Sequence, residues 1–482
     1  MFYIKKLILF FLAVISINVY TQTPIRFNHT YGNFSYNSGM SVHQEADTGY
    51  VILANVSGNS GINNIYLFKI DKHGGYVWDK LYSDSALFWA ESLKKTPDKG
   101  FLITGYTNKV AGDGYDVVAL KTDSLGNKQW EKYYGGHDWD FGMDAAIAHD
   151  GGFLLCGSTY SYGLGQKDMY LLKLNNQGDT LWTRTFGGAY EDVATCIDVC
   201  QNGDIIIAGY TNSFGAGDYD AVLVRYDSIG NFLWYQTYGG DSVEKVFGVR
   251  ERYNKDIVMG GYTSSFGMGL DDYYLIYTDS AGNQQWYIAN GGVHTYERAY
   301  SLDLTTDSGY VLCGITEGPG FQDVYFYKMF PDGQWHYSTS HGSIYPDSAN
   351  CIKQTLDGGY IIVGSTSGFG GCLSNIFVVK TGVDGLSEPY NGIDETTRDK
   401  TQKIKIYPNP FSLRATAEIP QQYRNSGVFY MYDTFGRIVF KKDISPDESS
   451  FVIGRNNLPS GVYFYRWIND TAVLESGQLI VN

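Results

Sequence analysis

Trp78, Trp130, Trp182, Trp234 and Trp286 are each separated by 52 residues, and Trp335 follows after a slightly shorter unit. A chain that repeats one pattern at this period builds an array of similar units, each of which covers the apolar faces of its neighbours. Around the tryptophans, a short apolar strand opens at Gly49-Tyr50, Gly100-Phe101, Gly152-Phe153, Gly309-Tyr310 and Gly359-Tyr360, with degenerate copies at Asp204-Ile205 and Asp256-Ile257. That makes seven units.

Residues 186–238 show what one unit contains. ATCIDV is followed by a turn at Asn202-Gly203, then DIIIAGYT, a glycine loop SFGAGD, DAVLVRYD, the turn DSIGN and FLWYQTYG. Alternation of period two, broken by turn residues every eight to twelve positions, marks antiparallel strands. In DSIGN, Asp227 and Ser228 can bond back to the backbone and Gly230 can supply a positive φ. The composition agrees with an all-β chain, having 58 glycines, 42 tyrosines and 11 prolines with 18% charged residues. Four strands per unit, repeated seven times, predict a seven-bladed β-propeller over residues 22–390. The seventh unit ends DGLSEPYNG without a tryptophan strand, whereas PIRFNHTYG near the start carries Phe27 and Tyr31 at the spacing of Trp130 and Tyr134. The N-terminal strand is therefore expected to complete the last blade and remove a sheet edge.

The repeat resembles the seven-bladed propeller repeats of exported bacterial proteins, with Asp220 to Gly240 and Gly261 to Ser265 following that pattern closely. The resemblance implies the fold and little about chemistry, since propellers carry many functions.

Export is also written at the ends of the chain. Lys5 and Lys6 precede an apolar stretch from Leu7 to Val19 and small or polar residues near Thr21, which reads as a signal peptide over 1–21, too short to span a membrane as a helix. No other apolar run is long enough, so the mature chain is expected to lack a transmembrane segment. Residues 391–403, NGIDETTRDKTQK, read as a linker. Residues 404–482 then give short alternating strands separated by glycine, proline and asparagine turns, as in a small immunoglobulin-like β-sandwich. This segment resembles the C-terminal sorting domain of the type IX secretion system of Bacteroidetes. The matching positions are Tyr407, Pro408, Asn409 and Pro410, then Asp433, Gly436 and Arg437, then Leu458, Gly461, Val462 and Tyr463; Gln478 departs from the lysine of many members. The resemblance implies that the secretion machinery is a partner and that the destination is outside the cell or on its surface.

The net charge of −15, without a basic cluster after the first residues, excludes an electrostatic footprint for nucleic acid. Two acidic sets recur in register: Asp116, Asp168, Asp220, Asp272 and Asp323, with Asn64 and Asn375 in the other two units, before the third strand, and Asp140, Asp192, Glu244, Glu297 and Asp347 opening the first. They are compatible with calcium. Their repetition favours capping of local backbone groups instead, so no cofactor is expected. Residues that break the register are better binding candidates. Trp89, Trp139, Tyr190, Tyr296 and Tyr345 lie in or near the loops joining one unit to the next, where aromatic faces can stack on sugars or meet a protein. His137, His294 and His341 fall in the same class of loop without metal-ligand spacing. Cys156 and Cys313 share one repeat position, and Cys196 and Cys351 share one in the following unit, which leaves open either two interblade disulfides or buried free thiols. No nucleophile elbow or Ser-His-Asp arrangement is recognisable. The expectation is a non-enzymatic binding or adhesion module for glycan or protein, with a polysaccharide lyase or glycosidase and a purely structural surface component as alternatives.

Overall fold

The computed structural model describes residues 24–32, 34–57, 63–83, 86–109, 114–317, 322–369, 372–388, 405–419, 427–433, 437–445, 448–456, 458–468 and 473–482. The signal peptide, the linker and Gly436 lie outside them. Seven four-stranded antiparallel sheets follow one another along the chain. Blade 4 is typical, with strands Asp192–Val199, Ile205–Thr211, Asp220–Tyr226 and Phe232–Tyr238. Blades 1 to 6 are each continuous in sequence, over residues 36–82, 88–134, 140–186, 192–238, 244–290 and 297–341. Blade 7 takes Asp347–Gln354, Tyr360–Thr366 and Asn375–Thr381 from the end of the repeat and Phe27–Tyr31 from its start. Phe27 opposes Lys380 and Tyr31 opposes Ile376, so the expected closure of the ring is present.

Burial assigns each strand its place. Second and third strands such as Ile205–Thr211 and Asp220–Tyr226 are buried almost throughout. Fourth strands such as Thr180–Phe186 alternate half-buried and exposed residues, as expected at the outer rim. The first strands contact one another around the ring and line the axis. Each carries a register shift near its middle, between Gly142 and Asp144 in blade 3, and such bulges tighten local twist. A small residue, Gly142, Ala194 or Ala299, precedes the bulge and packs against the sheet. The bulge position that follows holds Met40, Glu91, Met143, Thr195, Phe247, Tyr300 and Asn350 in the seven blades. Further along, Lys94 meets Asp144 at 2.9 Å and Lys353 meets Asp303 at 3.1 Å, tying neighbouring blades together.

The tryptophans explain the period. Each packs against the glycine that closes the turn between the third and fourth strands one blade further on: Trp78 against Gly126, Trp130 against Gly178, Trp182 against Gly230, Trp234 against Gly282 and Trp286 against Gly333. A Cβ on Gly178 would lie 2.9 Å from the Trp130 ring, and its φ of +80° requires the left-handed region. Trp335 does not belong to this series. It opens its strand and is 57% exposed, whereas Tyr337 fills the docking place against Gly385. The six-tryptophan register thus breaks at the last member, because two residues on, another large ring does the same packing.

Residues 405–482 form two facing sheets, Lys405–Tyr407 with Arg414–Glu418 and Ser450–Gly454, and Ile438–Ile444 with Gly427–Tyr432, Gly461–Ile468 and Val473–Val481. Phe411, Phe429, Met431, Ile453, Trp467 and Leu479 are buried between them. This is the expected small β-sandwich.

Candidate functional site

Members of the two acidic sets cap local backbone and hydroxyl groups, while one oxygen each of Asp140, Asp272, Glu297, Asp323 and Asp347 is buried without a hydrogen bond. Asp220 accepts backbone N–H groups of Ala216 and Gly217 at 2.9 and 3.0 Å, and Asp192 accepts those of Gly188 and, through Oδ1 and Oδ2, the hydroxyls of Thr211 and Ser213. One acid of each set meets the other over the first glycine of the double-glycine turn: Asp168 Oδ1 and Asp192 Oδ2 lie 1.9 and 2.7 Å from where a Cβ on Gly187 would sit. A side chain is therefore barred there. Burial and the facing Asp192 raise the Asp168 carboxyl above the usual range. Among the described residues no group of three or more His, Cys, Asp or Glu side chains gathers as a metal ligand set.

All six cysteines are free thiols. Neither pair, Cys156 with Cys196 or Cys313 with Cys351, is bridged, and the Cys196 thiol points to the carbonyl of Ala208 in its own blade at 3.5 Å. His341 also differs from expectation. It ends the fourth strand of blade 6 rather than lying in a loop, and its Nε2 lies 3.1 Å from the carbonyl of Gly385. Burial pushes its imidazole down to about 4.

At one end of the axis, the register-breaking residues converge. Trp89 is the second residue of the first strand of blade 2, and Trp139 immediately precedes the first strand of blade 3. Together with Leu87, Tyr106, Tyr115 and Phe141 they line an open depression of about 370 Å³. Trp89 stacks on Tyr106 with centroids 6.2 Å apart and rings 5° from parallel, and Tyr115 meets Trp139 edge-on at 5.8 Å. The rings fix one another in offset and edge-to-face geometry. Trp89 and Trp139 nevertheless remain 39% and 44% exposed. Of the other candidates, Tyr296 lies nearer blade 5, where the Arg298 guanidinium covers its ring at 5.4 Å. Tyr190 and Tyr345 are exposed on their own loops and do not line the depression.

The aromatic band runs on across three more blades. Trp139 meets Tyr160 at 6.2 Å, and Lys167 places its Nζ 5.5 and 5.4 Å from the centroids of Phe141 and Tyr160. Next, Lys245 lies 4.1 and 4.3 Å from the centroids of Tyr210 and Tyr219, and Arg298 lies 5.0 Å from that of Tyr262 while pairing with Asp271 at 2.5 Å. Tyr219 donates to Glu191 at 3.0 Å. Two residues beyond Trp89, Glu91 occupies the bulge of the same strand, and desolvation raises its carboxyl to about 8. Sequence reasoning found Trp89 and Trp139 but missed Lys167, Lys245, Arg298 and Glu91. For Lys245 and Arg298 the available signal was the second position of the first strand, which reads Trp89, Phe141, Val193, Lys245 and Arg298 in blades 2 to 6.

The sorting motif occupies the sandwich. Tyr407-Pro408 and Asn409-Pro410 are cis, Asn409 Oδ1 accepts the N–H of Ile480 at 2.8 Å, and the Tyr407 hydroxyl bonds Glu418. Asp433 clasps the Arg437 guanidinium at 2.7 Å, Tyr463 donates to the carbonyl of Pro459 at 2.8 Å, and Leu458 packs on the core. Gly461 has open space at its α-carbon and Val462 adjoins it on the same strand.

Comparison with known proteins separates the two parts of the chain. Regulatory protein FlaEY of Caulobacter vibrioides is 28% identical over 159 residues, 27% of this chain and 17% of its own length. PorZ, a surface component of the type IX secretion system of Porphyromonas gingivalis, aligns over 95% of this chain and 61% of its own with 13% identity and a TM-score of 0.38. Sqt1 of Chaetomium thermophilum aligns over 75% and 98% with 10% identity and a TM-score of 0.42. The chain thus spans less than two thirds of FlaEY and PorZ, and these likenesses carry no argument about activity. Residues 405–482 match the family model of the secretion system C-terminal sorting domain. The seven-bladed propeller is therefore cargo of type IX secretion, bound by its C-terminal sorting domain for the cell surface or the extracellular space.

Proposed function

We propose that the propeller is a non-enzymatic glycan-binding module presented outside the cell. The observation that carries this reading is the depression framed by Trp89, Tyr106, Tyr115, Trp139 and Phe141, where rigid aromatic faces stand at an open, solvent-facing site. Such faces take the apolar face of a pyranose with little loss of side-chain entropy. A rigid scaffold with variable end loops is the usual carrier for such a site. The test is a glycan array probed with the intact secreted chain, with and without calcium. Saturable binding that weakens about tenfold in Trp139→Ala, the scale of one lost stacking contact, supports the reading. Binding that is indifferent to Trp89→Ala and Trp139→Ala contradicts it.

One observation favours polysaccharide cleavage as a second reading: Glu91, two residues beyond Trp89 on the same strand, has its carboxyl raised by desolvation to about 8. Glycoside hydrolysis ordinarily needs a second carboxyl within reach. The equivalent axis positions in the blades on either side are Met40 and Met143. Release of reducing ends from a bound polysaccharide, lost in Glu91→Gln, would establish this second reading in place of the first.

A further inference from the structure

We propose that the saccharide taken by this face is acidic, its carboxylate or sulfate seated between Lys167 and Lys245. The proposal rests on the glycan-binding reading and sharpens it to a ligand class.

Both lysines are held in place by the fold. The backbone of Lys167 bridges to Glu191 at the entry to the next blade, and its carbonyl accepts the N–H of Asp192 at 2.7 Å. Lys245 is the second residue of the first strand of blade 5, directly after Glu244. Each is half-buried, and each ammonium lies against two aromatic rings. Among the described residues, neither has a carboxylate within ion-pair distance or any hydrogen-bond acceptor. An ammonium carries three donors, and a ring face engages the charge without satisfying them. The Glu191 carboxylate acts on both at longer range while it accepts the Tyr219 hydroxyl. Lys245 in turn feels repulsion from Lys167 and Arg298. Like charges gathered in a partly desolvated place are stabilised by an incoming anion.

Contrast with other lysines of the chain sharpens the point. Lys121, Lys173, Lys328 and Lys380 are more deeply buried, yet each meets an aspartate at 2.6 to 3.0 Å. Among the described residues, Lys167 and Lys245 lack that partner while half-buried against aromatic rings. Lys167 rests on Phe141, which itself lines the depression. A sugar stacked there therefore presents a group on its rim to Lys167. An acidic peptide could supply the charge, but it would leave the flat faces of Trp89 and Trp139 unused.

The experiment is calorimetric titration of the intact secreted chain with four probes: hexagalacturonate, its methyl ester, a sulfated galactan hexamer and hexaglutamate. The expected result is that hexagalacturonate or the sulfated hexamer binds at least about tenfold more tightly than the ester. The arm that binds more tightly identifies the acid group. Lys167→Gln and Lys245→Gln should each weaken the acidic probe about tenfold, leave the ester unchanged, and reduce the salt dependence. Trp139→Ala should weaken ester and acid alike. Equal affinity for ester and acid overturns the acidic preference while leaving the glycan reading intact. Binding of hexaglutamate alone, or of none of the saccharides, overturns both.

Discussion

Tyr238 in blade 4 donates a 2.7 Å hydrogen bond to the carbonyl of Gly282 in blade 5, the same glycine that Trp234 covers. The pairing recurs from Tyr31 to Gly74 and from Tyr134 to Gly178, each at 2.7 Å, and from Tyr82 to Gly126 at 2.5 Å. Where the tyrosine is missing, another donor serves. In blade 3 Arg184 Nε reaches the carbonyl of Gly230 at 2.7 Å, and in blade 6 His341 takes the place. One strand thus fastens two blades by a ring underneath and a hydrogen bond above. The turn glycine must be bare and left-handed for both contacts to form.

Gly282→Ala should therefore destabilise the propeller by about 2 kcal/mol, combining a disfavoured φ of +83° with a Cβ 2.8 Å from Trp234. Tyr238→Phe should cost about 1 kcal/mol, the net value of one hydrogen bond. Denaturant unfolding of the two variants checks the order, and a neutral Gly282→Ala would refute the packing account.

Ring closure by Phe27–Tyr31 predicts a local effect. Tyr31→Ala should speed hydrogen exchange at residues 376–380, which pair with this strand, and leave residues 220–226 in blade 4 unchanged. Uniform acceleration over both segments would mean that the N-terminal strand does not hold the last blade separately.

Asp347 carries a pH dependence. It is 2% exposed, and burial raises its carboxyl from 3.8 to about 6. The folded state thus holds the proton more tightly than the unfolded chain. Its stabilising contribution is complete below about pH 4 and is lost as pH rises through about 6, by up to about 3 kcal/mol. Unfolding measured at pH 4.5 and 7.5 should show this fall, and Asp347→Asn should flatten it. An identical pH slope in the variant would exclude Asp347 as its source.

The tail predicts an export phenotype. A chain lacking residues 405–482 should keep a folded propeller yet fail to reach the cell surface, whereas the tail should carry an unrelated reporter there. Cell fractionation with a surface-protease assay checks both. Surface display of the tailless chain would contradict the sorting role.

The fold was legible because its cause is local and repeated: Trp234, the D-x-x-G turn and the alternating strands recur at one spacing. Trp335 misled for the same reason, since residue type stood in for position and Tyr337 holds the docking place. His341 read as a loop residue because histidine does not resemble the tyrosine it replaces. At the mouth, the exposed aromatics Trp89 and Trp139 stood out along the chain. Lys167 and Lys245 did not, because each is unremarkable in its own blade and meaningful only beside a neighbour one blade away. Their lack of acidic partners is a property of packing, which no spacing rule reveals.

The most direct measurement is hydroxyl-radical footprinting of the intact chain with and without a bound oligosaccharide. The account predicts protection of Trp89, Trp139 and Tyr160 at the mouth, with exposed Trp335 and Phe232 on the outer strands unchanged. Protection on the outer strands with the mouth unaltered would contradict it.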